Sequence, residues 1–208
     1  MKRFVTIVFV LLSILVGLYP LAYFFVDRTF GLLASKNTEL LSDTIWNIAF
    51  YIHIILSGIA LLIGWIQFNH KVRIKKPKLH QLIGYIYVVN AIFGGMSGIY
   101  IGFFATGGII VSLGFICLGV VWLYTTIKAY VDIKNGEILL HQKMMYYSYA
   151  ACFAAVTLRI WLPILSISIG DFIIAYRIVA WLCWVPNLIV TYILISKNKI
   201  VFNLQNKK

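Results

Sequence analysis

Six long apolar runs, near residues 4–26, 46–68, 81–104, 109–131, 144–165 and 172–195, are separated by short polar stretches along this 208-residue chain. A helix that crosses a hydrocarbon core about 30 Å thick needs about 20 apolar residues, so each run predicts one membrane-spanning helix. Polar and small residues recur within the runs at helical spacing. On the second helix His53, Ser57, Ala60, Gly64 and Gln67 follow steps of four and three, and the third continues with His80, Gly84, Tyr87, Ala91, Gly94 and Gly98. The fifth runs His141, Met145, Ser148, Cys152, Ala155 and Arg159, and the sixth Arg177, Ala180, Trp184, Asn187 and Thr191. Residues at these spacings share one side of a helix, and in a membrane bundle that side faces the neighbours while the lipid side stays apolar. The fourth helix carries a sparser set, Ser112, Gly119, Trp122 and Thr126, and the first only Ser13, Gly17 and Pro20, which predicts a peripheral position. The expected fold is all-α: a single integral membrane domain over 1–208, with six transmembrane helices bundled around an inward polar seam. Gly94, Gly98 and Gly102 form a repeated GxxxG that predicts close packing of the third helix.

Composition agrees: 62% hydrophobic residues, 12% charged and a mean hydropathy of +0.94 exclude a water-soluble globule. The basic start followed by an apolar run resembles a secretory signal, but the run is too long and lacks a small-x-small cleavage site, so it is read as the first span. Basic loops stay cytoplasmic. With the N-terminus inside, fourteen of the eighteen basic residues are cytoplasmic, including the cluster Lys71, Arg73, Lys75, Lys76 and Lys78. Both termini are therefore expected inside, with Arg28 and Lys36 in the first external loop. That loop, the longest connection, has room for a short interfacial helix. The net charge of +12 finds its partner in anionic lipid headgroups; nucleic acid is not expected, because the basic residues are not interleaved with exposed aromatics. Cys117, Cys152 and Cys183 fall inside helices without CxxC spacing and read as small packing residues.

Depth along the helices, at about 1.5 Å per residue, sorts the polar seam into two layers. Gln67, His70, His80 and His141 gather at the cytoplasmic boundary, while His53, Arg159 and Arg177 lie toward the outside. An arginine in a membrane helix needs a partner or a route to water. Arg159 has three readings: a snorkelling side chain, an ion pair with Asp171 or Asp43, or the contact for an anionic ligand. No acid sits mid-membrane, which argues against a cation-coupled transporter. Neutral imidazole ligates haem iron, and a bis-imidazole haem needs two such groups from opposed helices, a requirement that His80 and His141 can meet. Their bland reading is hydrogen bonding at the membrane interface. His53 has no second histidine opposite it on the fourth helix. HExxH, GxSxG, Walker and Cys-His zinc patterns are absent, so hydrolase and nucleotide chemistry have no support.

The succession HIILSGIALLIGWIQF, HQLIGYIY, HQKMMYYSYAACFAAVTLR and WVPNL resembles the bacterial membrane proteins grouped as domain of unknown function 2306. The marks that the resemblance implies are His53, Gly58, Gly64 and Gln67; His80, Gly84 and Tyr87; His141, Met145 and Arg159; and Asn187. Where that family commonly has arginines after the second histidine and after the methionine, this chain has Gln81 and Tyr147. A looser similarity is to the two-haem transmembrane b-type cytochromes, which implies one axial pair on helices three and five, matched by His80 and His141; the second pair, on helices two and four, is half present. The expectation is a multi-pass protein of the bacterial cytoplasmic membrane that binds a redox group, with haem b as the candidate cofactor. His80 and His141 are its axial ligands, His53 and Arg159 contact an anionic or quinone-like group, and Gln67, Tyr87, Arg177 and Asn187 are further ligand-contacting candidates. Any activity would be membrane electron transfer. The alternatives are a transport or lipid-handling protein that holds an anion at His53, Arg159 and Arg177, and a structural or assembly protein without a ligand.

Overall fold

In the computed structural model, which describes residues 2–25 and 31–197, every regular element is helical. Six helical stretches are long and apolar enough to cross a membrane: Phe4–Phe24, Thr44–Phe68, Pro77–Gly102, Ile109–Lys134, Ile138–Ile169 and Phe172–Ser196. The first combines α1 (Lys2–Leu18) with a 3₁₀ turn, Tyr19–Phe24, at Pro20, which has no N–H for a continuing α-helix. In the connection that follows, a 3₁₀ turn over Gly31–Ser35 leads to the short helix α2 (Thr38–Ser42). The second span is α3 (Thr44–Gly64), closed by a 3₁₀ turn; α4 (His70–Lys75) carries part of the basic cluster and leads into α5 (Pro77–Gly102). After α6 (Ile109–Lys134), the fifth span is α7 (Ile138–Cys152) plus α8 (Ala154–Ile169), and the sixth α9 (Phe172–Leu182) plus α10 (Val185–Ser196). Arg28 and the basic residues from Lys199 onward lie outside the described residues.

The polar stripes face inward. Of all the residues named on them, only Arg177 is exposed. Large apolar side chains such as Leu11, Ile48, Phe93, Val120, Ile164 and Ile189 are exposed on the opposite faces, the surface that lipid covers. The first span is the least buried of the six, as the sparse stripe predicts, yet it crosses α3 closely: a Cβ on Gly58 would stand 2.8 Å from the Gly17 carbonyl oxygen.

Helices α3, α5, α6 and α7 form the centre, α5 and α7 each packing against both α3 and α6. A closed ring of hydrogen bonds ties three of them. The Trp122 carbonyl can only accept, so Thr126 donates to it at 2.7 Å; Ser148 then donates to Thr126 at 2.6 Å, and Tyr87 to Ser148 at 2.8 Å. Trp122 Nε1 donates to the Tyr87 hydroxyl at 3.2 Å and closes the ring. Each buried hydroxyl thus has both a donor and an acceptor, the condition for a polar cluster in an apolar interior.

The fifth and sixth spans are broken beside each other, at Phe153 and at Cys183–Trp184. Pro186 explains the second break, since its ring cannot donate and clashes with the preceding turn. Carbonyls freed in a membrane interior must find donors. Asn187 Nδ2 supplies them, at 2.9 Å to Cys183 O and 3.3 Å to Ala150 O, and it also reaches Thr157 Oγ1 at 3.2 Å; Thr157 in turn donates to Cys183 O. Asn187, a ligand candidate in the sequence, therefore joins the two breaks.

Candidate functional site

Two cavities occupy the seam, one at each end of the bundle. At the basic end a pocket of about 460 Å³ lies among the 3₁₀ turn that closes α3 and helices α4, α5, α6 and α7. His80 enters it from the first turn of α5 and His141 from the first turn of α7, the two central helices that are diagonal to each other, so both histidines line one pocket. His141 Nδ1 stands 2.8 Å from Ala129 O. A carbonyl can only accept, so Nδ1 carries the hydrogen and the neutral ring keeps its Nε2 lone pair. His80 Nδ1 is buried without a partner among the described residues. Gln67, also foreseen, lines the pocket and donates from Nε2 to His80 O at 3.1 Å, tying the end of α3 to the start of α5. Gly84, Met145 and Val88 contribute the wall, Phe68, Tyr85, Tyr130 and Tyr146 aromatic faces, and Gln81 and Gln142 further amides.

Two cations that sequence reasoning left among the topological signals belong to this pocket, Arg73 from α4 and Lys134 from the end of α6. Lys134 Nζ lies 5.8 Å and 5.5 Å from the ring centroids of Tyr85 and Tyr130, a cation–π position. They bring positive charge to a site whose neighbouring positions hold Gln81 and Tyr147. The signal for them was the helical continuation of the basic cluster and of the fourth span past the hydrocarbon boundary. Asp132, assigned to a helix end by sequence, is only 2% exposed; Oδ1 pairs with Lys128 and Oδ2 has no partner.

At the far end a second cavity, of about 230 Å³, is lined by His53, Ser57, Trp46, Phe50, Trp122 and Arg159, with Leu32, Leu33 and Lys36 of the first connection across its mouth. His53 Nδ1 lies 2.8 Å from Gly94 O, which again leaves the lone pair on Nε2. The close approach depends on Gly98, where a Cβ would stand 2.7 Å from that nitrogen. Arg159 makes no ion pair among the described residues: Nη1 donates to its own helix at Ala155 O, 2.9 Å, and the guanidinium sits 4.4 Å over the Tyr19 ring. The ion-pair reading fails for both of its proposed acids. Asp43 caps α3 by accepting from Trp46 N, and Asp171 caps α9 by accepting from Ile174 N.

The remaining sequence candidates stand elsewhere. Arg177 is exposed, its Nε donating to Gly107 O at 2.9 Å in the α5–α6 connection, and it lines neither cavity. Tyr87 is held in the hydroxyl ring and Asn187 at the helix breaks. Among the described residues no group of three or more His, Cys, Asp or Glu has the arrangement of a metal site, and the three cysteines are free.

No curated protein and no solved structure matches the chain. A family model described as predicted membrane protein, domain of unknown function 2306, matches residues 50–195, which include both histidines of the basic-end pocket as well as His53 and Arg159. Over that length, about seven-tenths of the chain, the match is decisive: the chain is a polytopic membrane protein that belongs to the domain of unknown function 2306 family.

Proposed function

We propose that the protein is an electron-transfer component of the cytoplasmic membrane that holds a haem-type redox group in the basic-end pocket. One observation carries this reading: two histidines project into one pocket from the diagonal pair α5 and α7, the disposition that a bis-imidazole group needs from a bundle. The surrounding residues fit it. The hydrogen bond to Ala129 O fixes the tautomer of His141 with Nε2 available, as a backbone carbonyl does for many ligating histidines. His80 brings a buried ring nitrogen that none of the described residues satisfies. Arg73 and Lys134 suit acidic substituents, and among the described residues no carboxylate lines the pocket to oppose them. Bound there, such a group supplies one-electron chemistry.

The protein's own contribution is to position and to insulate. Gln67 fixes the backbone at His80, the aromatic wall keeps the pocket apolar on its membrane side, and the hydroxyl ring at Tyr87 locks the central helices that hold the ligands in register. The rival reading, an anion held by His53, Arg159 and Arg177 for transport or lipid handling, loses Arg177, which is engaged at the surface. The test is the visible spectrum of protein purified in detergent after expression with ample haem precursor. A Soret band that is lost or shifted in His80→Ala and in His141→Ala supports the proposal; a colourless, fully folded protein overturns it.

A further inference from the structure

The far cavity combines groups whose hydrogen-bonding needs the described residues leave unmet, and they are of two kinds. Arg159 has no carboxylate against it among the described residues, and its Nε is buried without a partner. Trp46, 2% exposed, lines the same cavity with an indole N–H that also has no acceptor among the described residues. Among the described residues no acid lines the cavity. Buried donors without acceptors are costly, and a charged one most of all, so these call for an oxygen acceptor brought by a ligand. His53 asks for the opposite. Its Nδ1 hydrogen is committed to Gly94 O, so Nε2 of the neutral ring can only accept.

A molecule that satisfies both has an O–H at one end and an acceptor oxygen at the other. Size and lining narrow it further. At about 230 Å³ the cavity falls below the usual size of pockets for drug-sized ligands, which suits one substituted ring and not a macrocycle. The walls are aromatic, from Trp46, Phe50, Phe115 and Trp122, and the cavity lies within membrane spans, where an apolar tail is at home. We infer that this cavity binds the monocyclic headgroup of a quinol, one hydroxyl donating to His53 Nε2 and the opposite oxygen accepting from Arg159. The inference does not depend on the basic-end pocket, and its test needs no haem.

The full chain in detergent is titrated with a decyl-substituted benzoquinone, oxidised and chemically reduced, and separately with decanoate, reading thermal unfolding and intrinsic tryptophan fluorescence, to which Trp46 and Trp122 of the cavity wall contribute. The quinol is expected to raise the unfolding temperature saturably and decanoate to leave it unchanged. His53→Asn is the decisive variant, because the asparagine amide keeps an N–H where Nδ1 donates but removes the acceptor at Nε2. It is expected to weaken the quinol about tenfold and to leave the quinone, which has no hydrogen to donate, unaffected. Arg159→Gln is expected to weaken both forms about tenfold or more; the His53→Asn contrast decides the matter even where that variant does not fold. Saturable binding of decanoate but not of the quinol would show an anion site and overturn the inference. So would binding of neither, or an unchanged quinol affinity in His53→Asn.

Discussion

Adding one methyl group at Gly98 tests the far cavity's construction. A Cβ there would stand 2.7 Å from His53 Nδ1, 2.8 Å from Cε1 and 3.8 Å from Cγ, and these are its three nearest neighbours. The imidazole has to retreat by about 0.7 Å to restore an ordinary van der Waals contact, which breaks its 2.8 Å bond to Gly94 O. Leaving that ring and that carbonyl unpaired inside the bundle costs about 1–3 kcal/mol, against a gain of about 1 kcal/mol from replacing glycine by alanine inside a helix. Gly98→Ala is therefore expected to destabilise the protein by up to about 2 kcal/mol, read as a fall of a few degrees in unfolding temperature in detergent. The second half of a double-mutant cycle reverses the sign. With the third-nearest contact already at 3.8 Å and also on His53, removing the imidazole leaves the new methyl nothing closer. In a His53→Ala background Gly98→Ala is expected to be neutral or to stabilise by up to about 1 kcal/mol, a coupling of about 2 kcal/mol between the two sites. Equal destabilisation in both backgrounds would refute the reasoning.

Tyr87→Phe opens the hydroxyl ring and strands the Trp122 indole N–H; a loss of about 1–3 kcal/mol in thermal or denaturant unfolding is expected. Asn187→Leu removes the donors that join the two helix breaks and is expected to cost about 2–3 kcal/mol, with amide hydrogen exchange rising first at residues 150–157 and 183–187. Burial pushes the Lys36 ammonium down to about 8 from its ordinary 10.5. Between those values the unfolded chain holds more protons than the folded one, so stability is expected to rise with pH across that interval, by about 1–2 kcal/mol after allowing for the partial exposure of this side chain. Lys36→Met should flatten the rise in pH-dependent unfolding curves.

The inward face of every span was legible, because spacing in steps of three and four registers which residues meet neighbours whatever those neighbours are. His53, His80, His141 and Arg159 were found that way. Helix ends were less legible: the third and fifth spans begin at Pro77 and Ile138, several residues before the apolar runs do. Hydropathy marks where the hydrocarbon begins, not where the helix begins, and the polar turns it discarded are those that carry His80 and His141. The break at Cys183–Trp184 had a signal in Pro186, whereas the break at Phe153 has none in its own residues and depends on Asn187 from the neighbouring span. Arg73 and Lys134 were read only as charge, since membership of a pocket depends on how α4 and α6 pack. Lys36 carried a faint signal, a basic residue in a loop that the charge distribution led one to expect outside, where basic residues are disfavoured.

Electron paramagnetic resonance of the oxidised, detergent-purified protein tests the bis-histidine proposal most directly. A low-spin ferric haem signal is expected, with one centre per chain, converting to high spin in both His80→Ala and His141→Ala because each leaves a single axial ligand. Folded protein without haem iron, or a low-spin signal unchanged in either variant, would contradict it.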